Sequence, residues 1–458
     1  MYLSVMPLFG IASMVRVLQS ISVSALVCLW PAVTCQASDD SWTGLLKNIR
    51  LGPGKLDLGG SLRLRYEYFD NYNVKRYGTG TDDDVLLTRV RINVGYDLPQ
   101  KIRFFVQLQD ARFFLSDLNQ DDFGPSCPYL NELDLRQAFM QWQEIGKTPL
   151  GIKVGRQAIR YGDNRIFGPG NWGNVGRYTW DAGKILLATS AVDVDAFAAQ
   201  RVLYRKDAFD DEHFPYTVYA GYAHIKSIPK NKLDLFYVVK WDSDKSTRGE
   251  TGLGELQVQT VGFYGKGKWK RLDYASTFAY QFGEYGQDTI RAYGFNAEAG
   301  YTPVDLWTPR FAVSLSYASG DKDPHDGTHG TFDGVFGAID KYYGRMNLFS
   351  WMNLIDVQFG AAIQPIKGMK LSLNYHHFTL AQKKDAWYYC NGKKMRWDPT
   401  GASGSDLGEE IDLIWKYRVH GYITLMAGCA AFFPGDFIQK TGTHENAYWA
   451  FSQIEFRM

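Results

Sequence analysis

Residues 61–69 read SLRLRYEYF, and residues 88–98 read TRVRINVGYDL. In the first, Leu62, Leu64, Tyr66 and Tyr68 alternate with Arg63, Arg65 and Glu67. In the second, Val90, Ile92, Val94 and Tyr96 alternate with Arg89, Arg91 and Asn93. Side chains of a strand point alternately to its two faces, so each segment is a strand with one apolar and one charged face. In a soluble sandwich the apolar face is the core. In a membrane barrel it meets lipid, and the charged face lines the lumen.

The rest of the chain decides between these two. The alternation returns at Leu233–Val239, Tyr274–Tyr280, Ile355–Ile363, Leu371–Tyr375 and Ile411–Tyr417. The segments are about ten residues long, their apolar faces carry Tyr and Trp near the ends, and the connections between them alternate short and long. Short connections fall near 97–101, 145–149, 188–191, 226–231, 266–270, 302–309, 365–368 and 418–421. Longer ones fall near 70–84, 115–132, 158–180, 201–213, 243–254, 283–289, 320–352, 381–407 and 434–445. Eight short turns and nine longer loops predict an all-β, transmembrane antiparallel barrel of about 18 strands with both ends in the periplasm.

Composition agrees. The 458 residues include 29 Tyr, 28 Phe, 13 Trp and 46 Gly, a balance that favours strands and turns over helices. A net charge of +1 gives no bulk attraction for nucleic acid, so electrostatic function rests on where charges sit. The stretch MVRVLQSISVSALVCLWPAVTCQA (14–37) reads as a signal peptide cleaved after Ala37, with Met14 as an alternative start. Lipidation at Cys35 and a retained membrane helix fit it less well. Residues 1–37 are thus a signal peptide and 38–458 one outer-membrane barrel domain. Of the cysteines after Ala37, Cys127 and Cys390 fall in loops and are the pair that could bridge, and Cys429 is left over.

The charged faces supply the candidate site. Arg63, Arg65, Arg89, Arg91 and Arg136 fall on polar strand faces, and Arg156, Arg160, Arg165 and Arg177 follow, with Asp163 among them. One reading is a solvated lumen whose arginines pair with acids. The other is a ladder for an anionic chain, since guanidinium keeps its charge and grips carboxylates through two hydrogen bonds. Other motifs are weak. GPGNWG (168–173) has dinucleotide-loop spacing but no following helix. DKDPHDGTHG (321–330) starts like a calcium loop but lacks the closing Glu. No nucleophile motif stands out, so no cofactor, metal or catalytic residue is expected.

With the strands laid out, the sequence resembles the alginate-export outer-membrane barrel family. VGRQAIRYGDNRIFGPGNWGNVGRYTWDAGKI (154–185) carries the likeness, with SGDKD (319–323), TFDGVFGAIDKYYG (331–344) and the two opening strands. The resemblance implies a monomeric barrel, integral to the outer membrane, that passes a polyuronate outward through an arginine-lined constriction. Arg156, Arg160, Asp163, Arg165 and Arg177 are carried over by motif, and the early-strand arginines join them by parity. The implied partners are an anionic polysaccharide, membrane lipid and periplasmic export proteins. One departure is that the last periplasmic turn, RVHG (418–421), is short where well-studied alginate exporters have a long one. The alternatives are a general or uptake porin for small anions or sugars, an outer-membrane enzyme, and a structural barrel.

Overall fold

The computed structural model describes residues 44–206, 208–338 and 342–458. The expected signal peptide and cleavage site lie outside these. Eighteen strands among the described residues form the wall. In chain order they are β1 (Gly54–Asp70), β2 (Asp83–Leu98), β3 (Ile102–Phe114), β4 (Asn131–Trp142), β5 (Leu150–Gln157) and β6 (Trp180–Ala188). Then come β7 (Val192–Val202), β8 (His213–Ile225), β9 (Asn231–Arg248), β10 (Leu253–Trp269), β11 (Leu272–Gly286) and β12 (Asp288–Tyr301). The last six are β13 (Arg310–Ala318), β14 (Leu354–Ile363), β15 (Met369–Leu380), β16 (Asp406–Arg418), β17 (Ile423–Pro434) and β18 (Ala447–Arg457).

Each strand pairs antiparallel with its sequence neighbour. β1 and β18 close the ring from Ser61↔Arg457 to Asp70↔Tyr448. Closure removes the free edges that lipid could not satisfy. Parity decides what faces where. Leu62 and Leu64 are each 38% exposed on the outside, while Arg63 and Arg65 are buried on the inside. Trp269, Tyr274, Tyr301 and Phe311 form an exposed aromatic rim beside the short turns, where the bilayer meets water. No helix among the described residues is long and apolar enough to cross a membrane.

The structure departs from the sequence reading at two of the longer loops. β9 and β10 continue to Arg248↔Leu253, leaving only residues 249–252 as a turn where a loop over 243–254 is expected. β11 and β12 leave only Gln287 between them. The Ser, Asp, Lys and Gly of these stretches read as loop, but strands that project past the bilayer have water on both faces and need no apolar alternation.

The cysteines are a second departure. None of Cys127, Cys390 and Cys429 is in a disulfide, so the bridge considered between Cys127 and Cys390 is not formed. The two lie on different loops around one cavity. Cys127 is buried in packing of its own among core aromatics.

Candidate functional site: an arginine-clasped loop in the lumen

The connection between β5 and β6, residues 158–179 and here L3, does not stand above the rim. It runs into the barrel and lies against the inner faces of β1–β4. The guanidinium of Arg63 donates to the carbonyl oxygens of Asn171 (3.3 Å), Trp172 (2.8 Å) and Gly173 (3.3 Å) and to Asn174 Oδ1 (3.0 Å). Arg65 donates to the Trp172 carbonyl at 2.8 Å, packs 4.3 Å from the Trp172 ring centroid and pairs with Glu67 at 2.6 Å. Arg89 donates to the Asn171 and Gly173 carbonyls, each at 3.0 Å. Arg136 reaches the Val175 carbonyl at 3.2 Å and Tyr204 Oη at 2.8 Å. Gln109 adds a bond to Val175 O at 2.9 Å. From L3, Asn174 donates back to Tyr129 O at 2.8 Å and Arg112 O at 2.9 Å.

L3 can supply so many acceptors because its backbone is irregular. Gly170 (φ 58°) and Gly176 (φ 99°) take conformations that disfavour other residues, so successive carbonyls of the intervening segment face the wall. A Cβ on Gly176 would meet the Arg136 guanidinium at 2.5 Å. GPGNWG is thus the tip of an inward loop. Its contacts have a particular electrostatic result. Carbonyls satisfy guanidinium donors without cancelling their charge. Arg63, Arg89 and Arg136 therefore meet neutral oxygen acceptors, Arg91 meets the neutral Gln109 side chain, and Arg65 alone of the five is also paired with an acid, Glu67.

A second inward loop meets the first. Residues 319–353, here L7, connect β13 to β14. Phe167 and Phe336 form a parallel bridge between the loops, with Gly168 N–H donating to Phe336 O (2.9 Å) and Phe336 N–H to Ile166 O (3.0 Å). Arg165 is fully buried at this junction. It pairs with Asp163 at 3.0 Å, donates to Tyr343 Oη at 2.8 Å and stacks 3.7 Å from the Tyr342 ring centroid. Although burial disfavours its charge, the Tyr343, Asp163 and Tyr342 groups around it hold the guanidinium pKa above its ordinary value.

The lumen is divided at L3. On the external side a cavity of about 1590 Å³ is lined by Arg65, Trp172, Arg177, Arg201, Lys240 and Trp351, among many others. On the side of the short turns a cavity of about 410 Å³ is lined by Arg91, Arg136, Arg160, Pro169, Asn171 and Arg457. Residues 169–176 contribute to both.

The sequence-derived residues therefore fall into four settings. Arg63, Arg65, Arg89 and Arg136 grip L3. Arg165 and Asp163 join L3 to L7. Arg91, Arg160 and Arg177 border the cavities, Arg160 exposed and Arg91 bonded through Nε to Gln109 Oε1 at 2.8 Å. Arg156 is the exception. It shares the strand face of Val154, which is 51% exposed, and so lies on the outer face of the wall, paired with Asp181 at 2.9 Å. His213 bonds the same carboxylate at 2.8 Å. Strand parity at Gly155 carried the information for Arg156.

Sequence reasoning missed Arg201 and Lys240. Arg201 lies between the Phe214 (4.0 Å) and Tyr178 (4.4 Å) rings, and Lys240 pairs with Asp333 at 3.0 Å. Both stand on inward faces beside the external cavity, and parity alone could have found them. In the calcium-like stretch, Asp321, Asp323 and Asp326 accept backbone N–H groups of their own loop. Among the described residues no three candidate ligands converge on a metal position.

A closed eighteen-strand barrel with an apolar outer belt and charged, partly obstructed lumen defines an integral outer-membrane barrel of the channel type. Solved structures share the fold. Acinetobacter baumannii OccAB2 aligns with a TM-score of 0.58 at 13% identity, over 88% of this chain and 98% of that one. Pseudomonas aeruginosa OccK5 (OpdH) aligns at 0.56 and 10% identity over 88% and 98%. The outer membrane protein OprD from Pseudomonas aeruginosa aligns at 0.54 and 12% over 88% and 94%. No curated protein matches the sequence. The alginate export family model matches residues 55–451, and the chain belongs to that family.

Proposed function

We propose that this barrel passes an anionic polysaccharide, of the alginate-like polyuronate kind, outward across the outer membrane. The observation that supports this most is the clasped L3 between two cavities. Five arginines lie at that level, and all but Arg65, which pairs with Glu67, are held by neutral acceptors, so the narrow zone keeps most of its charge for passing carboxylates. A conducting path needs an attraction strong enough to admit its ligand and weak enough to release it. Family membership supports the polymeric, acidic substrate and the outward direction. Arg160, exposed at the smaller cavity, and Arg177, at the larger, are the arginines of the set best placed to meet the chain.

The test is electrical. Purified protein in a planar bilayer under a salt gradient should show an anion-selective reversal potential, and polyuronate should block the current. Arg160→Glu should move the reversal potential toward the cation side. An unchanged potential would remove Arg160 from the path, and currents unaffected by polyuronate would overturn the export reading.

A further inference from the structure

On the lumenal wall near the short turns, Lys370 of β15 and Lys416 of β16 are direct cross-strand partners. Both lie on lumenal faces. Lys370 continues the inward row of Asn374 and His376, and Lys416 the inward row of Glu410, Asp412 and Ile414. Both are exposed and close to the short turns, and among the described residues neither has a salt-bridge or side-chain hydrogen-bond partner. Like charges directly opposite in a ladder destabilise it. A fold would relieve such a pair with a neighbouring acid, and acids are close by.

Those acids are committed elsewhere. Arg310 of β13 takes both Asp273 and Glu298, each at 2.6 Å. Farther along the same strands, Asp356 and Asp412 bracket His376 at 2.9 and 3.6 Å, and Glu410 accepts the Met346 N–H of L7 at 3.0 Å. Arg310 and Arg345 add positive charge within electrostatic reach of Lys370, with Glu298 the acid acting on it. Lys266 and Lys268 of β10, also exposed on the lumenal face, act on Asp273 from a distance but form no ion pair among the described residues. Among the described residues the mouth formed by β10–β16 thus pairs Arg310 but leaves these four lysines without ion pairs, in contrast to the gripped arginines of β1–β4.

Building on the export reading, we propose that Lys370 and Lys416 form a carboxylate-binding subsite at the periplasmic mouth. It would take the uronate groups of an incoming chain before they reach L3. Two ammonium groups on adjacent strands match the two oxygens of one carboxylate, or two carboxylates of successive sugars, and their flexible stems allow release.

The experiment uses the whole barrel in a bilayer. Uronate oligomers are added to the short-turn side or to the loop side of wild type, Lys370→Gln/Lys416→Gln and Lys370→Arg/Lys416→Arg. Heat-modifiable gel mobility confirms that each is folded. The expected result is a blocking on-rate about tenfold lower for the Gln pair from the short-turn side only, restored in the Arg pair. Unchanged block, or equal loss from both sides, overturns the subsite. The export reading fails separately. Oligomers that block wild type from neither side, while the Gln pair loses selectivity for sulfate over potassium, keep the anion subsite and remove its polymeric ligand.

Discussion

Arg63 and Arg89 show how little of a residue's task its own strand declares. Alternation places both on the inner wall, yet their partners lie 108 and 82 residues away at Asn171. No local pattern could announce that carbonyls, not carboxylates, would meet them. The wall parity of Arg63, Arg65 and Arg89 was legible in the sequence because a period of two needs only neighbours. The identity of their ligands was not, because it depends on where a loop comes to rest. Arg89→Met should leave the Asn171 and Gly173 carbonyls with fewer donors and weaken L3 docking by about 1–3 kcal/mol. Hydrogen exchange of amides in 170–176 should then be roughly tenfold to a hundredfold faster. Exchange at the wild-type rate would show that the other arginines suffice.

The strands were the most legible elements, since each barrel strand repeats the same two-faced pattern. Two loops read correctly as polar connections turned out to be lumenal structures, because polarity suits a water-filled lumen as well as open solvent. The β7–β8 connection, residues 203–212, docks through a pair of acids. Asp210 N–H donates to Asp134 Oδ2 at 2.8 Å, and the Asp210 carboxylate accepts from Arg205 N–H and Asn131 Nδ2. Burial, with Asp134 close by, pushes Asp210 up to about 7, and Arg156 is the nearby cation felt by both acids. The docked state thus binds a proton that the undocked loop would release near the ordinary carboxyl range. Docking is strongest at acid pH, weakens as pH rises toward 7, and is level above it. Protection of the 203–212 amides, corrected for intrinsic exchange, should follow that course. Asp210→Asn should flatten it, and a wild-type profile flat from pH 5 to 8 would contradict the raised Asp210 carboxyl.

For the whole molecule, the alternation of short and long connections was enough to give strand number, and the family-like stretch at 154–185 marked the loop that matters most. The opposing lysines needed the assembled barrel. Lys370 and Lys416 were each readable as inward, but residues 381–405 separate their strands, and only the ladder register sets them face to face. Replacing residues 169–176 with a short Gly-Ser linker should merge the two cavities and raise single-channel conductance several-fold. Equal conductance would mean that the narrowest point lies elsewhere. The placement of L3 also bears on assembly. Its carbonyls and the arginines that hold them are too polar to cross hydrocarbon exposed. β1 and β18 form the seam around this loop, and the Phe167–Phe336 bridge joins segments far apart in the chain, so gathering the contents early would spare the closing barrel an exposed polar loop. Sequence changes that slow the gathering of L3 and L7 should delay insertion even where the finished wall is unaltered.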